Sequence, residues 1–300
     1  MGSLKIGDIV ARKSYGQDVF FKVVDIKNDG KEKIITLKGI TYRIEADAPE
    51  SDLIVQPETA VNEYNTRCYR AAYRKADDII MSRSGGNRRS AGRSKKALWR
   101  DTAKDNTGKF TKPGKVLHID GDNDYLSTCL EQYKKFGIEV VGKYVPEKDQ
   151  PGAVYKLLQE HRPDILVLTG HDGVIKNKAD YDQLDNYKNT KYFIEAVKEA
   201  RKYSRDLDSL VIFAGACQSL YKDLIDAGAN YASSPYRVLI HALDPVFICQ
   251  KVAFTSFTKI VDPNEAVTAT ITGKEGVGGI QTRGKYRDGY PLESYPSTDN

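Results

Sequence analysis

The sequence predicts an α/β chain whose main body is a parallel, doubly wound sheet, preceded by a small β-barrel domain. Three observations carry this. Residues 4–56 hold only short segments rich in Val, Ile and Tyr, separated by turns such as Asn28 to Gly30. From Lys115 onward, short apolar runs alternate with stretches of helical spacing. Those runs are continuously apolar rather than alternating, the pattern of strands buried on both faces.

Each element follows from its own residues. GDIVARKS, DVFFKVVDIK, KEKIITLKG and ITYRIEADA give four or five strands, read as an SH3-like barrel over residues 1–57. Residues 58–82 form a helix or a loose polar segment. Residues 83–112 are rich in Gly, Ser, Lys and Arg, so 58–112 is read as a helical and basic flexible linker. The α/β domain fills 113–300. KVLHID is its first strand, and Asn123 to Phe136 a helix with Leu126, Leu130 and Tyr133 on one face. Strand 138–145 and helix 150–161 follow, then strand DILVLTG, helix 189–204 and strand SLVIFAG. Helix 218–227, the short strand in NYASSP, helix 237–258 and a last strand at 267–273 complete the domain. In such sheets, ligands and catalytic groups gather beyond the carboxyl ends of the strands.

Composition narrows the function. The net charge is +5, but residues 83–100 carry seven Lys or Arg and no acid, so the excess is local and does not imply a basic nucleic-acid-binding surface. The four cysteines, Cys68, Cys129, Cys217 and Cys249, show no CxxC and no ladder of spacings, which argues against a disulfide scaffold or a zinc site. The start, MGSLKIGDIVARKS, is too polar for a signal peptide, and the apolar runs are of strand length. A cytoplasmic protein with no membrane partner, metal or organic cofactor is expected.

Residues 115–173 resemble a response-regulator receiver in topology, with sheet order 2-1-3-4-5 and the acids Asp120, Asp122 and Asp124 after the first strand. The resemblance fails at the chemistry: the phosphoacceptor position after the third strand holds Thr169-Gly170-His171. The same acids also suit the start of a helix, as caps favoured by its dipole.

Two strand ends carry reactive side chains. DILVLTGHDG delivers His171 and SLVIFAGACQS delivers Cys217. A nucleophilic thiol needs a base or imidazolium within reach, held on rigid elements, and the ends of neighbouring parallel strands satisfy that need. Cys129 and Cys249 fall in apolar patterns and read as core; Cys68 has no partner. His118 lies in or at the end of a strand, His161 on an exposed helix end, and His241 near the site.

This architecture resembles the caspase-like cysteine peptidases, in which one strand ends in His-Gly and the next in Ala-Cys. Here Ala216-Cys217 matches, whereas Asp172 separates His171 from Gly173. The resemblance implies oxyanion donors at the backbone amides of Cys217 and of Asp172 or Gly173. The whole chain, through PGKVLHIDGD, RPDILVLTGHD, LVIFAGACQS, AGANYASSP and IHALDPV, resembles the YabG family of sporulation-specific peptidases of endospore-forming Firmicutes. That resemblance implies a cysteine endopeptidase made in the mother cell and associated with the developing spore coat. Its protein substrates are spore-coat and germination-related precursors, cut after Arg or Lys, together with the chain itself. Asp172, Asp180 and Asp244 are the candidates for the carboxylate that reads a basic residue. The basic segment from Arg83 to Lys112 is the expected self-cleavage region. The competing reading is a non-enzymatic coat-assembly module with a receiver-like domain.

Overall fold

The computed structural model describes residues 4–28, 32–83, 110–175 and 181–290. Five antiparallel strands come first: β1 (Ile9–Arg12), β2 (Phe20–Asn28), β3 (Lys33–Gly39), β4 (Glu45–Pro49) and β5 (Leu53–Val55). They pair in the order β4-β3-β2-β1-β5, which leaves β4 and β5 at the two edges. Helix α1 (Glu58–Arg83) follows, so of the two readings of residues 58–82 the helix is the one that forms. The basic segment expected to act as a linker lies, over residues 84–109, outside the described residues.

The main sheet alternates strands with helices. In chain order these are β6 (Phe110–Lys112), β7 (Val116–Asp120), α2 (Asn123–Phe136), β8 (Val140–Tyr144), α3 (Gln150–His161), β9 (Ile165–Thr169), α4 (Thr190–Tyr203), β10 (Val211–Ala214), α5 (Tyr221–Asp226) and β11 (Tyr231–Ser233). Then come α6 (Asp244–Phe254), β12 (Ile260–Val261), α7 (Pro263–Thr268), β13 (Val277–Gly279), β14 (Thr282–Arg283) and β15 (Arg287–Gly289). The sheet order is β13-β11-β10-β9-β7-β8, with β13 the one antiparallel member. The first five strands thus take the expected 2-1-3-4-5 order. Two short ribbons, β12 with β14 and β6 with β15, stand apart.

The continuous apolar strands are explained by burial on both faces. Along β9, Ile165 and Val167 face one core and Leu166 and Leu168 the other; β10 repeats the pattern with Val211 and Phe213 against Ile212 and Ala214. Helices α1, α2, α6 and α7 cover the first face, and α3, α4 and α5 the second.

Local chemistry explains where elements start and where the expectation shifts. The Asp122 carboxylate accepts from the amides of Asp124 and Tyr125 and caps α2, and Gly137, at φ 73°, ends it. The last strand expected at 267–273 is not there. Asp262 caps Glu265 and Pro263 occupies the first turn, so the chain turns into α7 and the strand forms later, as β13. The helix expected from 237 begins only at Asp244, with Pro245 in its first turn. The residues before it run irregularly past the end of β10.

Candidate active site

Parallel pairing of β9 with β10 places their carboxyl ends side by side. Beyond β9 the chain reads Gly170-His171-Asp172, and beyond β10 Gly215-Ala216-Cys217. Gly215 turns the chain with φ 105°, and a Cβ there would meet Ser233 Oγ at 2.7 Å. Both predicted reactive residues are therefore at one end of the sheet, and both are fully buried.

The two side chains are not hydrogen-bonded to each other. Cys217 Sγ accepts the Ile240 amide at 3.1 Å. His171 Nε2 donates to the Gly39 carbonyl at 3.3 Å, its ring stacks on Tyr125, and its Nδ1 lies 3.8 Å from an Asp122 oxygen. The His171 amide is anchored by Glu147 at 2.8 Å. Burial, reinforced by the cations Lys38 and Arg43, holds the imidazole pKa well below its ordinary value. Burial likewise pushes the Cys217 thiol up to about 12. Both shifts favour the neutral thiol and the neutral imidazole.

The backbone is more revealing. The amides of Cys217 and Asp172 converge on one acceptor, the carbonyl oxygen of Arg43, at 3.0 and 3.2 Å. Two amides from neighbouring strand ends aimed at one carbonyl oxygen is the arrangement that stabilises a developing oxyanion in acyl transfer. The Gly173 amide instead donates to the Asp172 carboxylate at 2.8 Å.

A profile of the YabG peptidase U57 family matches residues 5–291. The chain belongs to this family. Across 292 residues it is 43% identical to the sporulation-specific protease YabG of Bacillus subtilis (strain 168), covering 97% of this chain and 99% of that one. No solved structure matches it. The protein is therefore a peptidase, of a sporulation-protease family, and the reading as a non-enzymatic assembly module is set aside. Among the described residues, no helix is long and apolar enough to cross a membrane, and no group of three or more His, Cys, Asp or Glu is placed to hold a metal ion.

In this YabG-family peptidase the carboxylates singled out for recognition of a basic residue have different surroundings. Asp172 is buried and accepts from Ser219 Oγ, Thr190 Oγ1 and the amides of Asn189 and Gly173; burial raises its pKa to about 6 against the pull of those donors. Asp244 accepts from the amides of His241 and Ile271 and from Thr272. Both tie loops together. Asp180 lies outside the described residues. His241 is buried, and its Nδ1 accepts the Leu243 amide at 3.1 Å.

At this end of the sheet, Asp120 is a fully buried carboxylate that meets a guanidinium. Arg43 Nη1 lies 2.8 Å from Asp120 Oδ2, and both side chains have zero exposure. The Asp120 carboxylate also receives His118 Nε2 at 3.2 Å, Thr169 Oγ1 at 2.9 Å and the Asp122 amide at 2.9 Å. Burial alone would raise its pKa, but the Arg43 charge wins and holds it well below the carboxylate range. The sequence placed Asp120 only among strand-end acids and Arg43 only inside a strand pattern. Its available signal was an Arg within the apolar stretch ITYRIEA and an acid closing a buried strand.

Proposed function

We propose that the chain is a cysteine endopeptidase with Cys217 as nucleophile and His171 as proton carrier. Cys217 Sγ attacks the scissile carbonyl carbon, and the thiol proton passes by way of His171 to the leaving amine. The developing oxyanion is held by the amides of Cys217 and Asp172. Water then hydrolyses the thioester, with His171 as base. The observation that carries this reading is the convergence of those two amides on one carbonyl oxygen, where a His and a Cys follow the ends of two adjacent described strands. Asp122, near His171 Nδ1, is suited to orient the ring once it becomes charged.

The caspase-like form of the sheet, an SH3-like closure of the N-terminal strands, and the division at residues 57 and 112 belong to the same proposal. So do substrates among spore-coat and germination precursors, action in the mother cell at the coat, and self-cleavage between Arg83 and Lys112. The name of the Bacillus relative supports action in sporulation, and the sequence resemblance supports the finer points.

The test incubates the parent chain, Cys217→Ala and His171→Ala with an unfolded basic protein, read by intact mass. Only the parent is expected to cut, leaving new carboxyl termini at Arg or Lys. Equal cutting by all three removes the dyad.

A further inference from the structure

The loop joining β3 to β4 lies across the catalytic groups like a bound peptide. It is closed by the Gly39 amide on the Ile44 carbonyl at 2.9 Å and carries Thr41, Tyr42 and Arg43 at its tip. On one flank the Ala242 amide donates to Thr41 O at 3.2 Å, and Tyr42 bridges His241 in antiparallel fashion. On the other, Ile44 bridges Asp172 in parallel fashion, and the Glu45 amide donates to Asp172 O at 2.8 Å. Between the flanks, the Arg43 carbonyl takes both oxyanion amides. Main-chain pairing on either side of one deeply seated side chain is how an extended peptide is gripped by a cleft.

That side chain fills a closed socket. Besides Asp120, the guanidinium reaches the carbonyls of Gly170 at 3.4 Å and Ala242 at 3.2 Å and Cys129 Sγ at 3.7 Å, and lies 5.0 Å from the Tyr125 ring centre. A planar fork answered by a carboxylate, carbonyls and an aromatic face is selective for guanidinium over ammonium. Among the described residues Arg43 Nε has no hydrogen-bond partner, so the fit lacks one bond that a dedicated structural pair would make.

The reactive atoms are meanwhile occupied elsewhere. Cys217 Sγ takes the Ile240 amide, His171 Nε2 is spent on the Gly39 carbonyl, and the Ile44 amide, the leaving group of a cut after Arg43, donates back to Tyr42 O at 2.8 Å. A segment placed as a substrate, with thiol and imidazole turned to other partners, blocks rather than reacts.

We propose that the β3–β4 loop is a built-in competitive inhibitor, and that the Asp120 socket it fills is the pocket that selects arginine on the acyl side of the cleaved bond. This rests on the Cys217–His171 reading. An incoming substrate must displace Arg43 from Asp120 before it can bind.

The test uses the full chain in four forms: the parent, Arg43→Gln, Arg43→Gln with Asp120→Asn, and Cys217→Ala. Initial rates are taken on matched peptide amides with Arg, Lys or Gln before the bond. Arg43→Gln should cleave the Arg amide about tenfold or more faster than the parent in the first turnovers, and adding Asp120→Asn should lower the Arg-over-Gln preference about a hundredfold. Because these changes touch buried groups, a second measurement leaves the socket intact. In Cys217→Ala, a saturating Arg-containing peptide should speed amide exchange across residues 41–45, and its Gln counterpart should not. No acceleration in Arg43→Gln together with unaltered exchange at 41–45 overturns the inhibitor. An Arg preference that survives Asp120→Asn overturns the pocket. A Cys217→Ala chain that cleaves as fast as the parent overturns the dyad beneath both.

Discussion

Asp120 and Asp172 are two buried carboxylates at neighbouring strand ends, and they have opposite characters. Asp120 faces a guanidinium and is held ionised well below the usual range; Asp172 faces only hydroxyls and amides and is raised to about 6. Both are fully satisfied by hydrogen bonds, so bond count does not separate them. The sign of the partner does. A carboxylate that needs a cation to be stable is built to receive one, whereas one quieted by neutral donors is built to hold loops.

The comparison is broken most directly by removing each charge. Asp120→Asn in the full chain leaves the Arg43 guanidinium buried without a counter-charge and should cost about 3–5 kcal/mol in urea unfolding. Asp172→Asn keeps the shape and changes only neutral-donor bonds, so about 1–3 kcal/mol is expected. Equal losses at the two positions would mean that Arg43 is no more than one donor among several.

The pH dependence sharpens the contrast. Asp172 binds its proton more tightly folded than unfolded, so its contribution is complete below its unfolded value and is lost as pH rises through about 6. Asp120 runs the other way: its contribution is present above its unfolded value and disappears as pH falls toward its depressed folded one. The parent should therefore lose roughly 3 kcal/mol between about pH 4 and 6 that Asp172→Asn does not lose, since each pKa unit is worth about 1.4 kcal/mol. Unfolding midpoints across that range, measured for both chains, decide it. A parent curve parallel to that of Asp172→Asn would place the raised group elsewhere.

Thiol chemistry follows from the same loop. Cys129, Cys217 and Cys249 are buried with thiols pushed up to about 12, and Cys68 is only half-buried. A mild alkylator at neutral pH should mark Cys68 first in the parent. In Arg43→Gln, labelling of Cys217 should rise about tenfold, since a thiol released from burial forms thiolate more readily. Labelling of Cys217 that is already fastest in the parent would show that the loop does not cover it.

How much of this was legible in the sequence varies with range. Continuous apolar strands and helical spacing are local, so the parallel sheet could be read directly, as could His171 and Cys217 at two strand ends; the 2-1-3-4-5 order came only from the resemblance to a receiver domain. The start of α7 was missed because its signals, the Asp262 cap and Pro263, precede an apolar stretch that suits a strand equally well. The partnership of Arg43 with Asp120 was not legible, because it joins a hairpin tip in one sheet to a strand end in another. Periodicity says which face a side chain takes, not which distant loop meets it.

The smallest change tests what holds the loop. Gly173 lies under β4, and a Cβ there would sit 2.1 Å from the Glu45 carbonyl oxygen, a backbone atom that cannot swing aside. Gly173→Ala should push the Glu45 flank away and weaken its bond to Asp172 O, at a cost of about 1–2 kcal/mol. Arg43 would remain in its socket, because the ion pair with Asp120 does not depend on that flank. Cleavage of an Arg amide should therefore rise only a few-fold, well short of the increase from Arg43→Gln. A rise as large as that of Arg43→Gln would mean that strand pairing, and not the buried charge, is the stronger hold on the loop. The distinction between the two carboxylates would then concern substrate choice alone.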